Sequence, residues 1–329
     1  MKTNAVFEGG GVKAVALVGA ISVAEQRGIQ FHQMAGTSSG SIVASMLAAG
    51  YTAGEMRKII EETPFTTFLQ RSPLHQIKII GPALRIFVKK GLYSGDALEH
   101  WIRLMLAKKG IRTFADLPPN KLRIIASDIT QGKLLVLPDD IAQYDVDPMK
   151  FEISKAVRMS SSIPYFFDPV VVKKSFMEST SKGGATPKNI YIVDGALLSN
   201  FPLWIFDKEE VLETGNKPIP TIGFRLVGKH SNLPRRIYGP FTMFEALIET
   251  MLEAHDERYI EQHNLFRTIK IPTMGVQTTQ FNMTSETSAL LFNSGEAAAG
   301  EFFDNWSDSG YLDKFNKRVM PMVSIRKQR

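Results

Sequence analysis

Cysteine is absent from this chain of 329 residues. Its absence excludes a disulfide scaffold, a cysteine nucleophile and thiolate metal sites. The chain also lacks any apolar run of about 18 residues, so we expect no membrane-spanning helix. Residues 1–10 lack the apolar segment of a signal peptide, and we therefore expect a cytoplasmic protein.

Acidic residues are missing from one whole segment, between Thr63 and Gly95. Apolar residues there are interleaved with basic ones, which are Arg71, Lys78, Arg85, Lys89 and Lys90. Basic charge beside apolar surface favours contact with anionic phospholipid. We expect this segment to act as a lid that contacts the membrane surface peripherally; the alternative is a basic cover packed over the core.

Recognisable nucleic-acid and metal sites are also lacking. The acidic residues Asp139, Asp140, Asp145 and Asp147 do not have the glycine and terminal glutamate of an EF-hand loop. Basic and aromatic residues do not combine into a nucleic-acid-binding module. We therefore expect no metal, no cofactor and no nucleic-acid partner. The net charge of +6 suits an acidic partner such as anionic lipid.

The order strand, glycine turn, buried helix occurs twice at the start of the chain. Residues 5–7 form a short apolar run before the first glycines, and a helix is predicted over 12–27. Residues 31–35 precede a second turn and a helix over 41–49. This order predicts an α/β fold, a three-layer sandwich with a mainly parallel central sheet flanked by helices.

Ser38 lies at the centre of the second turn, Gly36-Thr37-Ser38-Ser39-Gly40. Glycines on both sides let the backbone pass closely, so that the central side chain projects outward. The helix that follows places a positive dipole end beside the serine, which favours an alkoxide or an oxyanion. The turn is therefore a candidate nucleophile site, with Gly36 and Gly40 as its structural glycines.

The first turn contains three consecutive glycines, Gly9, Gly10 and Gly11. Their amides at a helix N-terminus are candidates for an oxyanion hole. Gly9, Gly11 and Ala14 also fit a dinucleotide fingerprint. That interpretation requires an acidic residue after the second strand, where this chain has Ala35-Gly36-Thr37, so we reject it.

The general base has two candidate types. A hydrolase triad would take its histidine from His230, His255 or His263, but none of these follows a predicted strand. Asp194 does, because residues 191–193 form a strand that leads to it, at the edge where parallel sheets bind ligands. Partial desolvation would raise the pKa of this carboxyl towards that of a useful base.

Three segments together resemble the patatin-like phospholipases. They are Glu8–Lys13, Gly36–Gly40 and Asp194–Ala196, which match the family's oxyanion glycines, nucleophile motif and Asp-Gly-Ala/Gly motif. Residues 160–164 resemble its Ser-x-Ser-Ile-Pro segment. The resemblance implies a patatin-like catalytic core over residues 1–205, and we interpret residues 206–329 as a C-terminal extension that completes the same domain.

The resemblance implies a lipid acyl hydrolase of the phospholipase A or lysophospholipase type. Ser38 would attack the ester, Asp194 would accept its proton, and the glycine amides with that of Ser39 would hold the oxyanion. Lys13 would position the loop or meet a lipid phosphate. The substrate would be a phospholipid or lysophospholipid. The alternatives are an α/β-hydrolase esterase with a Ser-His-Asp triad and a non-catalytic lipid- or nucleotide-binding protein.

Overall fold

The protein is described by a computed structural model, which covers residues 1–70, 80–177, 185–207, 219–228, 237–239 and 264–319 and the single positions 243, 246 and 250. The helices are α1 (Val15–Gln26), α2 (Ser39–Ala48), α3 (Ala53–Glu62), α4 (Ile80–Lys89), α5 (Asp96–Lys108), α6 (Ile153–Ser160), α7 (Ser285–Asp304) and α8 (Asp308–Arg318). The strands are β1 (Lys2–Phe7), β2 (Gln30–Thr37), β3 (Gly91–Tyr93), β4 (Leu122–Asp128), β5 (Lys133–Leu137), β6 (Tyr165–Phe167), β7 (Val170–Met177), β8 (Ala185–Asp194), β9 (Thr221–Val227) and β10 (Thr268–Pro272). No helix in these ranges is long and apolar enough to cross a bilayer.

A mixed, mostly parallel sheet forms the centre of the fold. Its strand order is β10-β9-β1-β2-β4-β8-β7, and β5 pairs with β4 outside that path. The strands from β10 to β4 are parallel, whereas β5 and β8 are antiparallel to β4. A separate parallel ribbon joins β3 to β6. The predicted α/β class, with helices flanking a mainly parallel sheet, is confirmed.

The sheet buries a different apolar cluster on each face. On one face Phe7 and its neighbours pack with the buried helices α1 and α2. On the other face Val6, Ala35 and Ile125, which alternate with the first set along their strands, pack against residues 201–206. Helix α7 lies directly on α1, and a side chain at Gly295 would collide with the backbone of α1.

Strands β2 and β8 run towards each other along the same edge of β4. Thr37 of β2 pairs with Ile125, and Asp194 of β8 pairs with the next residue, Ala126. Strand β5 pairs with both Ile125 and Ala126, and it therefore occupies the opposite edge. The sequence suggests that Asp194 ends a parallel strand, but β8 is antiparallel and brings Asp194 to the end of β2 from the opposite direction.

The sequence predicts a solvated loop over residues 173–189, and this is wrong for the parts that the structure describes. Lys173 pairs with Asn189, and the ladder between β7 and β8 continues to Met177 and Ala185. The exposed polar residues of this ladder, such as Lys173 and Lys188, resemble a loop in composition because one edge of the sheet faces solvent. The helix predicted near 241–263 lies almost entirely outside the described residues.

Candidate active site

Ser38 connects β2 to α2 in a backbone conformation that is rare for a residue with a side chain. Its φ is +52° and its ψ is −128°, in a region that costs of order 1–3 kcal/mol and is found at functional sites. A side chain at Gly36 would meet the backbone of Gly40, and one at Gly40 would meet the carbonyl of Phe7. The predicted nucleophile turn therefore depends on both glycines for its close packing.

The structure brings Ser38 and Asp194 into direct contact. Ser38 Oγ donates a hydrogen bond to Asp194 Oδ2 over 2.6 Å, and both side chains are buried. The other carboxylate oxygen, Oδ1, accepts from the amide of Ala196 at 2.9 Å. Gly195 turns the chain at this point, and a side chain there would meet the carbonyl of Ile125. Asp194 is therefore held on both oxygens, with one directed at the serine hydroxyl.

Burial changes the acidity of this carboxyl. Desolvation raises the pKa of Asp194 from 3.8 to about 7, although the hydrogen bonds from Ser38 and from the Ala196 amide act in the opposite direction. A carboxylate with a pKa near 7 is a much stronger base than an exposed aspartate, and about half of it is ionised in a neutral solution. The pair can therefore transfer a proton from Ser38 to Asp194.

The end of α6 supports both members of the pair, which sequence reasoning did not predict. Ser160 Oγ accepts a hydrogen bond from the Ser38 amide at 2.9 Å. The carbonyl of Ser162 accepts from the Asp194 amide at 2.9 Å. These residues belong to the Ser160–Pro164 segment. The sequence shows that this segment resembles a family motif, but it does not indicate what the segment does.

The amides of the three consecutive glycines have different partners. Gly9 donates to the carbonyl of Asn200 at 3.3 Å, so its amide is not available for an oxyanion, in contrast to the prediction. Gly10 donates to Ser39 Oγ at 2.9 Å. Gly11 has a φ of +58°, and within the described part of the chain its amide has no assigned acceptor. Gly11, and Gly10 after rotation of the Ser39 hydroxyl, are therefore the candidate donors.

Gly9 has a steric role in place of the predicted electrostatic one. A Cβ built on Gly9 would lie 2.9 Å from Ser38 Cβ and 2.5 Å from Asn200 Oδ1. The glycine loop therefore lies directly against Ser38, the candidate nucleophile, and any side chain at Gly9 would displace the loop. Lys13 is half-buried, and its Cε would lie 3.4 Å from a Cβ built on Gly10, which places its side chain over the loop.

An apolar cavity of about 100 Å³ extends from Ser38 into the helical layer. Its polar lining side chains are those of Ser38, Ser39 and Ser161. The apolar lining includes Val18, Met46, Met56, Ile60, Phe68, Leu98, Trp101 and Phe167. An uncharged, apolar cavity that begins at a nucleophile suits a hydrocarbon chain.

Ser161 differs from the other serines of the cavity because its hydroxyl has no hydrogen-bond partner among the residues that the structure describes. Its side chain is buried, and a buried hydroxyl without a partner is costly. Ser38 Oγ is bonded to Asp194, and Ser39 Oγ accepts from Gly10. Ser161 therefore presents a free polar atom to the cavity.

The histidines of the triad alternative, His230, His255 and His263, lie outside the described residues. His32 and His100, which are described, are exposed and are not among the residues that line the cavity. Within the described part of the chain Ser38 Oγ is bonded directly to the carboxylate, without an intervening imidazole.

The basic segment divides into buried and exposed members. Arg85 was predicted to contact a membrane, but its side chain is buried and forms a bidentate pair with Asp168, over 2.8 and 2.9 Å. Because it is paired inside the fold, Arg85 cannot face a lipid surface. Lys89 and Lys90 are exposed. Arg71 and Lys78 lie outside the described residues.

Comparison with known proteins gives a family match over the site. The model of a family described as "Patatin-like phospholipase" matches residues 5–207. The protein YqhO of Bacillus subtilis (strain 168), described as uncharacterized, is 41% identical over 309 residues, which are 93% of this chain and 100% of YqhO. The "Probable lipid hydrolase 463L" of Invertebrate iridescent virus 6 is 25% identical over 215 residues, 60% of this chain and 61% of that protein.

A solved structure gives a similar result for the fold. The crystal structure of VipD from Legionella pneumophila superposes with a TM-score of 0.51 at 17% identity, over 92% of this chain and 66% of VipD. At this identity the similarity concerns the fold alone. The strand arrangement that brings β2 and β8 together therefore belongs to a fold that occurs in other proteins.

Proposed function

Because the chain belongs to the patatin-like phospholipase family, we propose that it hydrolyses carboxylic esters of phospholipids or lysophospholipids through a Ser38–Asp194 dyad. The observation that carries this proposal is the 2.6 Å hydrogen bond from Ser38 Oγ to a buried carboxylate whose pKa is raised to about 7. The viral relative 463L, which is named a probable lipid hydrolase, agrees with the substrate class.

In the first half-reaction, Asp194 accepts the proton of Ser38 as Oγ attacks the carbonyl carbon of the ester. The carbonyl oxygen becomes an oxyanion, which the Gly11 amide and the N-terminus of α2 stabilise. The tetrahedral intermediate then expels the alcohol, a lysophospholipid or a glycerophosphoalcohol, which takes the proton from Asp194. An acyl-enzyme on Ser38 remains.

In the second half-reaction, Asp194 removes a proton from water as the water attacks the acyl carbon. Ser38 leaves with the proton that Asp194 returns, and the products are a fatty acid and the free enzyme. The apolar cavity would hold the acyl chain during both steps, since its lining has no charged side chain. Binding there removes hydrocarbon from water into a mainly apolar lining.

Hydrolysis assays with the wild type and three variants test this proposal. The wild type, Ser38→Ala and Asp194→Asn are compared on phospholipid, on lysophospholipid and on a soluble p-nitrophenyl ester. Ser45→Ala is the matched control. Ser45 is a buried serine of α2, the helix that follows Ser38, and its hydroxyl donates to the Ile42 carbonyl. We expect both dyad variants to lose at least about 10³-fold in kcat and the control to stay active.

Two results would contradict the dyad. Full activity of Ser38→Ala or Asp194→Asn would show that the Ser38–Asp194 pair does not carry out the reaction. Loss of activity on substitution of His230, His255 or His263 by glutamine, in a protein that remains folded, would instead favour the triad esterase.

A further inference from the structure

The outer face of α4 carries large apolar side chains in solvent. Phe87 is 85% exposed, Val88 57% and Leu84 45%. Their spacing of three and four residues places them on one face of the helix. Isolated exposed apolar residues are ordinary, but three on one helical face form a contiguous patch.

The same helix is fixed to the body of the protein by its other side. Arg85 pairs with both carboxylate oxygens of Asp168 and also donates to the carbonyl of Gly91, and Ile86 is half-buried. A helix held by a buried ion pair presents its opposite face in a defined orientation. The exposed side chains are therefore part of a fixed surface.

The patch is linked to the lining of the cavity by a short chain of contacts. Asp168, the partner of Arg85, directly follows Phe167, which lines the cavity. Phe166 stacks on Phe281 with ring centroids 5.4 Å apart, and Phe281 also lines the cavity. Tyr165, at the start of the same strand, is 48% exposed. The helix and the cavity are therefore attached to the same short ribbon.

The charge around the patch selects one kind of partner. Lys89 and Lys90 at the end of α4 are exposed, and neither forms an ion pair within the residues that the structure describes, although the Lys90 ammonium lies 5.0 Å from the centre of the Tyr191 ring. No acidic residue occurs between Thr63 and Gly95. Apolar side chains that enter the acyl region beside basic side chains that meet the headgroups are the pattern of an interfacial helix on anionic lipid.

We propose that the α4 face of Leu84, Phe87 and Val88, with Lys89 and Lys90, docks this protein on an anionic phospholipid surface. The apolar side chains insert into the interface and the two ammonium groups meet lipid phosphates. Docking there brings the β3–β6 ribbon, whose Phe167 lines the cavity, close to the bilayer that supplies the acyl chain. The proposal rests on the proposed function for its substrate, but the surface and its binding can be measured without catalysis.

Vesicle sedimentation with the Ser38→Ala protein tests the surface, since that variant does not consume the lipid. The vesicles contain phosphatidylcholine alone or phosphatidylcholine mixed with phosphatidylglycerol. The test variants are Leu84→Ser with Phe87→Ser, and Lys89→Glu with Lys90→Glu. The matched control is Leu290→Ser on α7, where Leu290 is 55% exposed.

We expect Ser38→Ala to bind the anionic vesicles more tightly than the neutral ones. Each test pair should weaken binding at least about tenfold, because it removes two apolar insertions or reverses two charges near the surface. The Leu290→Ser control should bind the anionic vesicles as tightly as Ser38→Ala does. Both test pairs are also introduced into the protein that retains Ser38. Their hydrolysis of a soluble short-chain ester should equal that of the wild type.

The docking surface would be overturned if the test pairs bound anionic vesicles as tightly as Ser38→Ala, or if Leu290→Ser lost as much affinity as they do. A change from oligomer to monomer in light scattering of Leu84→Ser with Phe87→Ser, without an effect on vesicles, would overturn it in favour of contact between copies of the chain. Absence of ester hydrolysis in the wild type, with vesicle binding retained, would contradict the proposed function and leave the surface standing.

Discussion

Ser160 accepts a hydrogen bond from the backbone amide of Ser38 through its side-chain hydroxyl, over 2.9 Å. The bond crosses from the end of α6 to the turn that carries the nucleophile. It satisfies a buried amide at a residue whose backbone is strained, and it therefore fixes the position of Ser38 without touching the reacting atoms.

Ser160→Ala should reduce kcat about tenfold or more with little change in KM, because the nucleophile becomes less well oriented while the cavity is unchanged. The buried Ser38 amide would lose its acceptor, at a cost of about 1–3 kcal/mol in the free energy of unfolding. Steady-state kinetics and urea denaturation measure the two effects. A loss of stability with unchanged kcat would show that Ser160 has a structural role alone.

Ser161→Ala should have the opposite effect on stability. Its hydroxyl is buried without a partner in the described part of the chain, so its removal should raise the free energy of unfolding by about 1 kcal/mol. Urea denaturation of Ser161→Ala beside Ser160→Ala compares two adjacent buried serines with predicted effects of opposite sign. A destabilised Ser161→Ala protein would mean that the hydroxyl is bonded in solution.

Activity should depend on pH through the ionisation of Asp194. The base is active as a carboxylate, and its pKa is about 7. Therefore kcat/KM should rise about tenfold per pH unit below 7 and level off above it. A profile measured with the soluble ester checks this, since that substrate does not titrate. A flat profile between pH 5 and 8 would contradict the raised pKa.

Stability should depend on the same group with the opposite sign. The folded-state pKa of about 7 exceeds the unfolded value near 3.8, so the neutral form is favoured in the folded protein. The contribution of Asp194 to stability is fully present below pH 3.8 and is lost as the pH rises to 7, by up to about 4 kcal/mol. Asp194→Asn does not ionise at this position, so it does not lose this contribution to stability as the pH rises.

The difference in unfolding free energy between Asp194→Asn and the wild type should therefore grow in favour of the variant between pH 4 and pH 7 and stay constant above. Denaturation in urea at several pH values measures it. The comparison isolates Asp194, because the other titrating groups are present in both proteins. A difference that is the same at pH 4.5 and at pH 7.5 would contradict the prediction.

Arg85→Met should destabilise the protein by about 3–5 kcal/mol, because it leaves the carboxylate of Asp168 without its partner at a largely buried site. Lys89→Met, on the same helix but exposed, should change stability by less than about 0.5 kcal/mol. Thermal or urea denaturation of the two variants checks the contrast. Equal, small effects would show that the Arg85 pair does not hold α4.

The sequence was sufficient for the parts of the site that depend on local pattern. Ser38 and its glycines follow from a strand that breaks into a buried helix, and both were predicted from that order. The sequence also identifies Asp194 as the residue after a strand. It does not give the direction of that strand, because the pairing partner of β8 is a long-range property that composition does not record.

The partners of backbone groups were the least predictable feature. The amide of Gly9 donates to the carbonyl of Asn200, and no local pattern distinguishes it from its two neighbours. Arg85 looked like the other basic residues of its segment, yet it is buried because Asp168 lies opposite. In each case the deciding contact comes from a residue more than 80 positions away in the chain.

The meeting of β2 and β8 on one edge of β4 makes catalysis sensitive to strand register. A slip of β8 by one residue along β4 would move Asp194 by about 3.3 Å and turn its side chain to the other face of the sheet. Such a slip would not alter the pairing among the parallel strands from β10 to β4. Ester hydrolysis therefore measures something that gross stability does not, namely whether the two halves of this sheet have assembled in the correct alignment.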